Sequence, residues 1–389
     1  MTETAIRPLY DDVRVLQGSG RYSIQLEIPP ESTLSERDLS RIVELATWDK
    51  DPNQHADGFE GGRGILLRRE NAIERGGLKF EGVQISGTAY RTIEAGDNVV
   101  IISTKEQFVP PSKANFIEGL QQGLMTTSYA ERGQIRDQRP KYRARGTYTA
   151  TELEQKVRNT RRISTLSFQK FVTPQVEAYG RYLDDDLRND EGRFGFLVYP
   201  VLDISGARLA SKVVTYLRDL AQDGKKPEEV YDEFMSYSRV IVKMTTRAIH
   251  ELHQQEIAHR QPHLSNVDFP EGGYKPYLLD WATLTHLGKS PIDRAINRTI
   301  DAKKVIDNLT LGIPKTIFRN VSSTLTNKMS TELLALMIST YSGQEWSPTE
   351  LARLGVRVES QLRKPASDFD VIKYWMMQYE AGRLDSLRS

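Results

Sequence analysis

A chain of 389 residues is long enough for two or three lobes around a sizeable core, and a formal net charge of +1 argues against a general nucleic-acid or membrane surface. Cysteine is absent, which removes disulfides, thiolate catalysis and cysteine-ligated zinc together. The start, MTETAIRPLYDDVRV, carries no apolar stretch of signal-peptide length and no later run is apolar enough to span a bilayer, so a soluble, cytoplasmic chain is expected, with export without oxidative folding left open.

In chain order, residues 1–60 read as an N-terminal extension. Val13 to Leu16 and Tyr22 to Leu26 alternate as two strands around Gly18-Ser19-Gly20. GSGRYS lacks the third glycine of a phosphate-cradling loop and is read as a hairpin turn. Leu34 to Trp48 has apolar residues at helical spacing behind an acidic first turn and predicts a short amphipathic helix.

From Gly61 the pattern changes to strands. GGRGILLRREN, GGLKFEGVQISGTAY and NVVIISTKEQFV alternate apolar and polar residues between glycines, as a twisted antiparallel sheet requires. This sheet-bearing part spans 61–203 and includes a polar, basic insertion near 110–145, with a helix predicted over 114–125. After Gly146, TYTATELEQKVRNTRRISTL predicts a helix with Thr151 as N-cap and Glu154 in capping-box register. Phe194 to Leu202 is a continuous apolar run that predicts a buried core strand.

Residues 204–389 read as helical. Helices are expected at 206–222 and 227–255, the latter with Phe234, Ile241, Met244, Ala248 and Leu252 on one core-facing stripe. His250 and His253 lie three apart on it, but without a third ligand in register zinc is not expected, and His253 is read as packing under the loop that follows. IDRAINRTIDAKKVIDNLT, STELLALMIST, SPTELARLGVRVESQL and SDFDVIKYWMMQYEAGRL continue the helical pattern, two of them behind Ser or Thr caps.

Between these helices lies the stretch that carries chemistry. HRQPHLSN occupies His259 to Asn266, Gly272-Gly273 reads as a turn, and the short apolar strand Tyr277-Leu278-Leu279 delivers Asp280. This order resembles the catalytic loop and metal strand of the protein-kinase superfold, in which HRD, four residues and Asn precede a strand ending in DFG. The resemblance implies an α+β, protein-kinase-like bilobal fold with an antiparallel-sheet N-lobe and a helical C-lobe. It makes Asn266 and Asp280 the Mg²⁺ ligands, since an amide oxygen and a carboxylate converging from neighbouring segments suit a hard cation that also holds ATP phosphates. Gln261 stands where the base Asp belongs and cannot take a proton. His263 falls where aminoglycoside-type phosphotransferases place His. Together with Asp268 it is a nearby group able to accept a proton. His259 is read as structural. The DFG-like site is Asp280-Trp281-Ala282, without the glycine, and no APE-type segment follows.

GGLKFEGVQISGTAY also looks like the LKGSGRTPY stretch of the selenoprotein-O-like pseudokinases, a branch that transfers AMP. Their strand lysine would correspond to Lys79, with Lys105 as the substitute candidate and Glu154 or Glu152 as the partner on the helix. The backbone of Pro200 to Leu202 would then meet the adenine edge. The acidic residue that these enzymes carry before the metal Asn is Ser265 here. The expectation is an atypical kinase-like transferase that uses ATP and Mg²⁺ to pass a phosphoryl or nucleotidyl group to a protein or small-molecule acceptor. The alternatives are a pseudokinase acting as a binding or regulatory scaffold, and a ligase-like reaction through an adenylate.

Overall fold

The computed structural model describes residues 10–17, 23–46, 58–60, 64–87, 92–94, 100–102, 148–184, 188–189, 192–204, 209–270, 275–314 and 323–387. The turns expected at Gly18 to Gly20 and at Gly272-Gly273, the insertion at 110–145 with its helix, and Lys105 lie outside the described residues. The chain divides into two compact units, Met1–Thr165 with Pro174–Gly206 and Leu166–Thr173 with Ala207–Ser389.

Among its described residues, the first unit is a sheet with one helix on each face. Its strands are β1 (Asp12–Gln17), β2 (Ser23–Ile28), β3 (Gly58–Glu60), β4 (Gly64–Arg75), β5 (Leu78–Ser86), β6 (Thr92–Glu94), β7 (Val100–Ile102), β8 (Ala178–Tyr182), β9 (Arg188–Asn189), β10 (Gly192–Arg193) and β11 (Gly195–Val201). Seven of them form one sheet in the order β1-β2-β8-β11-β5-β4-β3, with every neighbouring pair antiparallel. Residues 1–60, which the sequence sets apart as an extension, therefore supply three strands of this sheet, and β2 reaches its centre through β8. The continuous apolar run GFLVYPV is the central strand β11, buried on both faces, which is why it lacks alternation.

Helix α1 (Glu36–Leu45) starts at a capping box between Ser35 and Asp38, and its Leu39 and Ile42 pack with Val83, Ile85 and Val198 on one face. Helix α2 (Ala150–Ser164) covers the other, with Leu153 and Val157 against Tyr179 and Leu197. The N-cap of α2 is Thr149 with Glu152, not Thr151 with Glu154. The TYTATELE segment contains both spacings, and the choice is made by Tyr148, whose backbone pairs with Gly195 and ends the extended chain there. Gly180 on β8 is a packing requirement, because a Cβ there would lie 2.1 Å from the Phe196 ring.

The second unit is helical: α3 (Leu209–Gln222), α4 (Pro227–Gln254), α5 (Pro291–Asp307), α6 (Ser323–Ser342), α7 (Pro348–Leu362) and α8 (Asp368–Glu380). Pro227 opens α4, and capping boxes at Ser347 and Ser367 open α7 and α8. Helix α4 packs on α6, and α5 on α8. Four two-residue strands sit between α4 and α5: β12 (Ile257–Ala258) pairs with β15 (Thr285–His286), and β13 (Val267–Asp268) with β14 (Tyr277–Leu278). Among the described residues no helix is long and apolar enough to cross a membrane.

Candidate active site

In the helical unit, α4 delivers the chain through β12 into His259, which is fully buried. Both ring nitrogens are committed. Nε2–H donates to the Leu279 carbonyl at 2.9 Å and Nδ1 accepts the Gln261 amide at 3.3 Å, so the ring is neutral. Burial pushes its pKa below the usual histidine value, outweighing the nearby Asp301 and Asp280 charges. The ring also packs on Trp281, with centroids 4.5 Å apart. His259 is thus the structural residue that the sequence suggests.

Arg260 follows at φ 72°, a left-handed conformation unusual for a residue with a side chain. It is held from α5: the amides of His259 and Arg260 both donate to Asp301, at 2.8 and 2.5 Å, and Arg260 Nη1 donates to Asn297 at 2.7 Å. The sequence reading missed Asp301. Its signal is a carboxylate at a buried position of an amphipathic helix, in TIDAKKV, where a core residue belongs.

The pairing of β13 with β14 places Val267 opposite Leu278, and the Leu279 amide donates to the Asn266 carbonyl at 2.8 Å. This register brings Asn266 and Asp280 to the same end of the strand pair. The Asn266 side chain is pinned by donation from Nδ2 to the Gln261 carbonyl at 3.0 Å and to His263 Nε2 at 3.3 Å. Both amide hydrogens are then used, which fixes the amide orientation and leaves Oδ1 as the acceptor atom of the side chain. Asp280 sits at φ 57°, ψ 69°, immediately before the turn at Trp281–Thr283. A non-glycine residue at positive φ is uncommon, and Asp is among the types that adopt it most readily.

The proton-accepting candidates are each engaged. His263 uses its Nε2 lone pair on Asn266. Asp268 accepts Lys212 Nζ of α3 at 3.1 and 3.3 Å and the Phe269 amide at 2.9 Å. Lys212 is a second residue that the sequence reading missed, and nothing in the spacing of α3 singles it out. Gln261 contributes through its backbone, donating to His259 and accepting from Asn266.

In the sheet unit, the expected pairing of Lys79 with Glu154 does not form. Gln84 and Ser86 point to the side of α2, where Ser86 bonds Tyr148, whereas the register of β5 with β4 breaks between Gly82 and Phe80, and Lys79 lies beyond the part of β5 that pairs with β11. Lys79 instead pairs with Glu81 at 2.9 Å, with 61% of its side chain exposed. Glu154, on α2, binds Arg181 of β8 at 3.3 Å and Arg158 at 3.5 Å, while Glu152 is used by the helix cap. Arg181, buried, also lies 3.5 Å from Glu27, which in turn accepts the Tyr179 hydroxyl. Among the described residues this unit buries two cations, Arg181 on β8, two strands from Lys79 in the sheet order, and Arg69 on β4. Leu202 ends the central strand with its carbonyl accepting the Glu81 amide at 3.4 Å.

No protein-family model matches the chain, and no curated protein matches it in sequence. Among solved structures, the crystal structure of a Toxoplasma gondii specific rhoptry antigen kinase domain is similar, at 11% identity over 84% of this chain and 80% of that one, with a TM-score of 0.30. The class rests on the molecule itself: an α+β chain in which an antiparallel-sheet unit precedes a helical unit, the order of a protein-kinase-like bilobal fold.

Proposed function

We propose that the chain is an atypical kinase-like transferase that binds ATP with Mg²⁺ and passes a phosphoryl or nucleotidyl group to a protein or small-molecule acceptor. The observation that carries this reading is the Asn266–Asp280 arrangement: two hard oxygen ligands on one strand pair, Asn266 pinned through both amide hydrogens and Asp280 held at positive φ. Among the described residues no cluster of three or more His, Asp or Glu side chains forms a protein-only metal cage. Mg²⁺ keeps water and substrate phosphates in its shell and takes only one or two protein oxygens. A bound Mg²⁺ would neutralise charge on the phosphates during transfer. The chain's own part is to orient Asn266 through its bonds with Gln261, His263 and Leu279.

A second reading, a pseudokinase scaffold, is favoured by a different set of observations. Gln261 cannot act as a base, Asp268 is ion-paired with Lys212, and Lys79 pairs with Glu81 while Glu154 pairs with Arg181. The two readings separate in one experiment: the purified chain and Asp280→Ala are each incubated with Mg²⁺ and ATP labelled at the α or the γ phosphate. Label on an acceptor from either position, lost in the variant, supports the enzyme and names the transferred group. No label together with no Mg²⁺-dependent ATP binding supports the scaffold.

A further inference from the structure

A buried polar chain runs through the helical unit from its last long helix to the 259–266 loop. Glu380, on α8, accepts Arg294 Nε at 2.9 Å and pairs with Arg298 Nε at 2.5 Å. Arg298 Nη1 donates to the Tyr341 hydroxyl oxygen at 2.6 Å. With that oxygen accepting from a cation, the Tyr341 proton goes to His253 Nδ1, also at 2.6 Å. His253 Nε2–H then donates to Asp301 at 2.9 Å, and Asp301 accepts the amides of His259 and Arg260. Arginine only donates and a carboxylate only accepts, so the two ends dictate the direction of every bond between them. Arg298, Tyr341, His253 and Asp301 are all 8% exposed or less, so each link is made in a medium where an unanswered donor is costly.

The chain crosses four helices, α4, α5, α6 and α8, and ends on the two amides that hold Arg260 at positive φ. Apolar packing alone would hold these helices together; it would not reach the backbone of the loop. We propose that Glu380 and Tyr341 are positioning residues for the 259–266 loop, acting through Arg298, His253 and Asp301, so that α8 sets how firmly the loop presents Asn266. Where it concerns Mg²⁺ and ATP this rests on the transferase reading; where it concerns the loop backbone it does not.

The test is amide hydrogen exchange on the full chain, comparing wild type with Tyr341→Phe, which removes one hydroxyl and keeps the ring packing, and with Glu380→Gln, which keeps the shape of the end group. Exchange in a peptide spanning 257–266 should rise about tenfold or more in Tyr341→Phe. Peptides of β11 should be unchanged. Exchange in 257–266 within about twofold of wild type would overturn the proposal, even if α6 and α8 themselves loosen. If Tyr341→Phe fails to fold, Glu380→Gln decides alone by the same criterion, with a rise above about threefold expected. ATP binding is titrated in parallel with and without Mg²⁺, and the variants should weaken only the Mg²⁺-dependent part. Wild type that shows no such part removes the transferase reading and leaves the exchange result to stand or fall by itself.

Discussion

Asp301→Asn tests how the 259–266 loop is held with the smallest change of shape. Asp301 accepts from His253 Nε2 and the His259 amide at Oδ2, and from the Arg260 amide at Oδ1. Asparagine offers one oxygen and one NH₂. With its oxygen at the Oδ2 site the Arg260 amide loses its acceptor, and in the flipped orientation two donors lose theirs. At least one buried N–H is orphaned, at about 1–3 kcal/mol, and the bonds that remain lose the assistance of a full charge. The expected loss is about 2–4 kcal/mol, against a total of roughly 5–15 kcal/mol for a folded domain. Urea unfolding at pH 7.5, followed by far-ultraviolet circular dichroism, reads it as a lower midpoint of the helical unit at unchanged slope. A loss below about 1 kcal/mol would show that the carboxylate does not hold the loop.

Acid should destabilise the helical unit before ordinary carboxylates titrate. Burial lowers the pKa of His253, His259 and His250 from 6.5, so the unfolded chain binds more protons below that pH and stability falls as pH drops through it. The slope is at most about 1.4 kcal/mol per pH unit for each histidine, and unfolding curves flat between pH 7.5 and 5.5 would refute it. Lys79→Ala should leave Mg²⁺-dependent ATP binding within about twofold and stability within about 0.5 kcal/mol, because Lys79 is exposed and its pair with Glu81 lies at the surface. A tenfold loss of binding would return Lys79 to the site. Arg181→Met should cost about 3–5 kcal/mol by leaving Glu27 buried without its cation. Adding Glu27→Gln should restore part of that loss, and a double variant as unstable as the sum of the singles would sink the account.

The helices, the central strand and the 259–266 loop were legible because their signals are local. The helical spacing behind an acidic first turn in Leu34 to Trp48, the apolar run ending at Leu202, and the spacing from His259 to Asn266 and Asp280 each fix geometry over a few residues. What failed to read out depends on pairing across the chain. Lys79 flanked by Leu78 and Phe80 looks like a strand lysine from either face, and only the folded chain shows that it pairs with Glu81 while Glu154 meets Arg181. Arg181, placed opposite Gly195 by the pairing of β8 with β11, meets Glu154 from 27 residues further along the chain. Asp301 lies 41 residues from Arg260, and their bond becomes visible only once α5 has been packed beneath the loop. A carboxylate on the buried face of an amphipathic helix is nevertheless a local anomaly. A buried acid needs donors, and backbone amides in a left-handed turn with no partner of their own are the donors that a loop can offer. The anomaly at Asp301 and the loop at His259 therefore point to one another, and pairing such anomalies extends local reading into long-range contact.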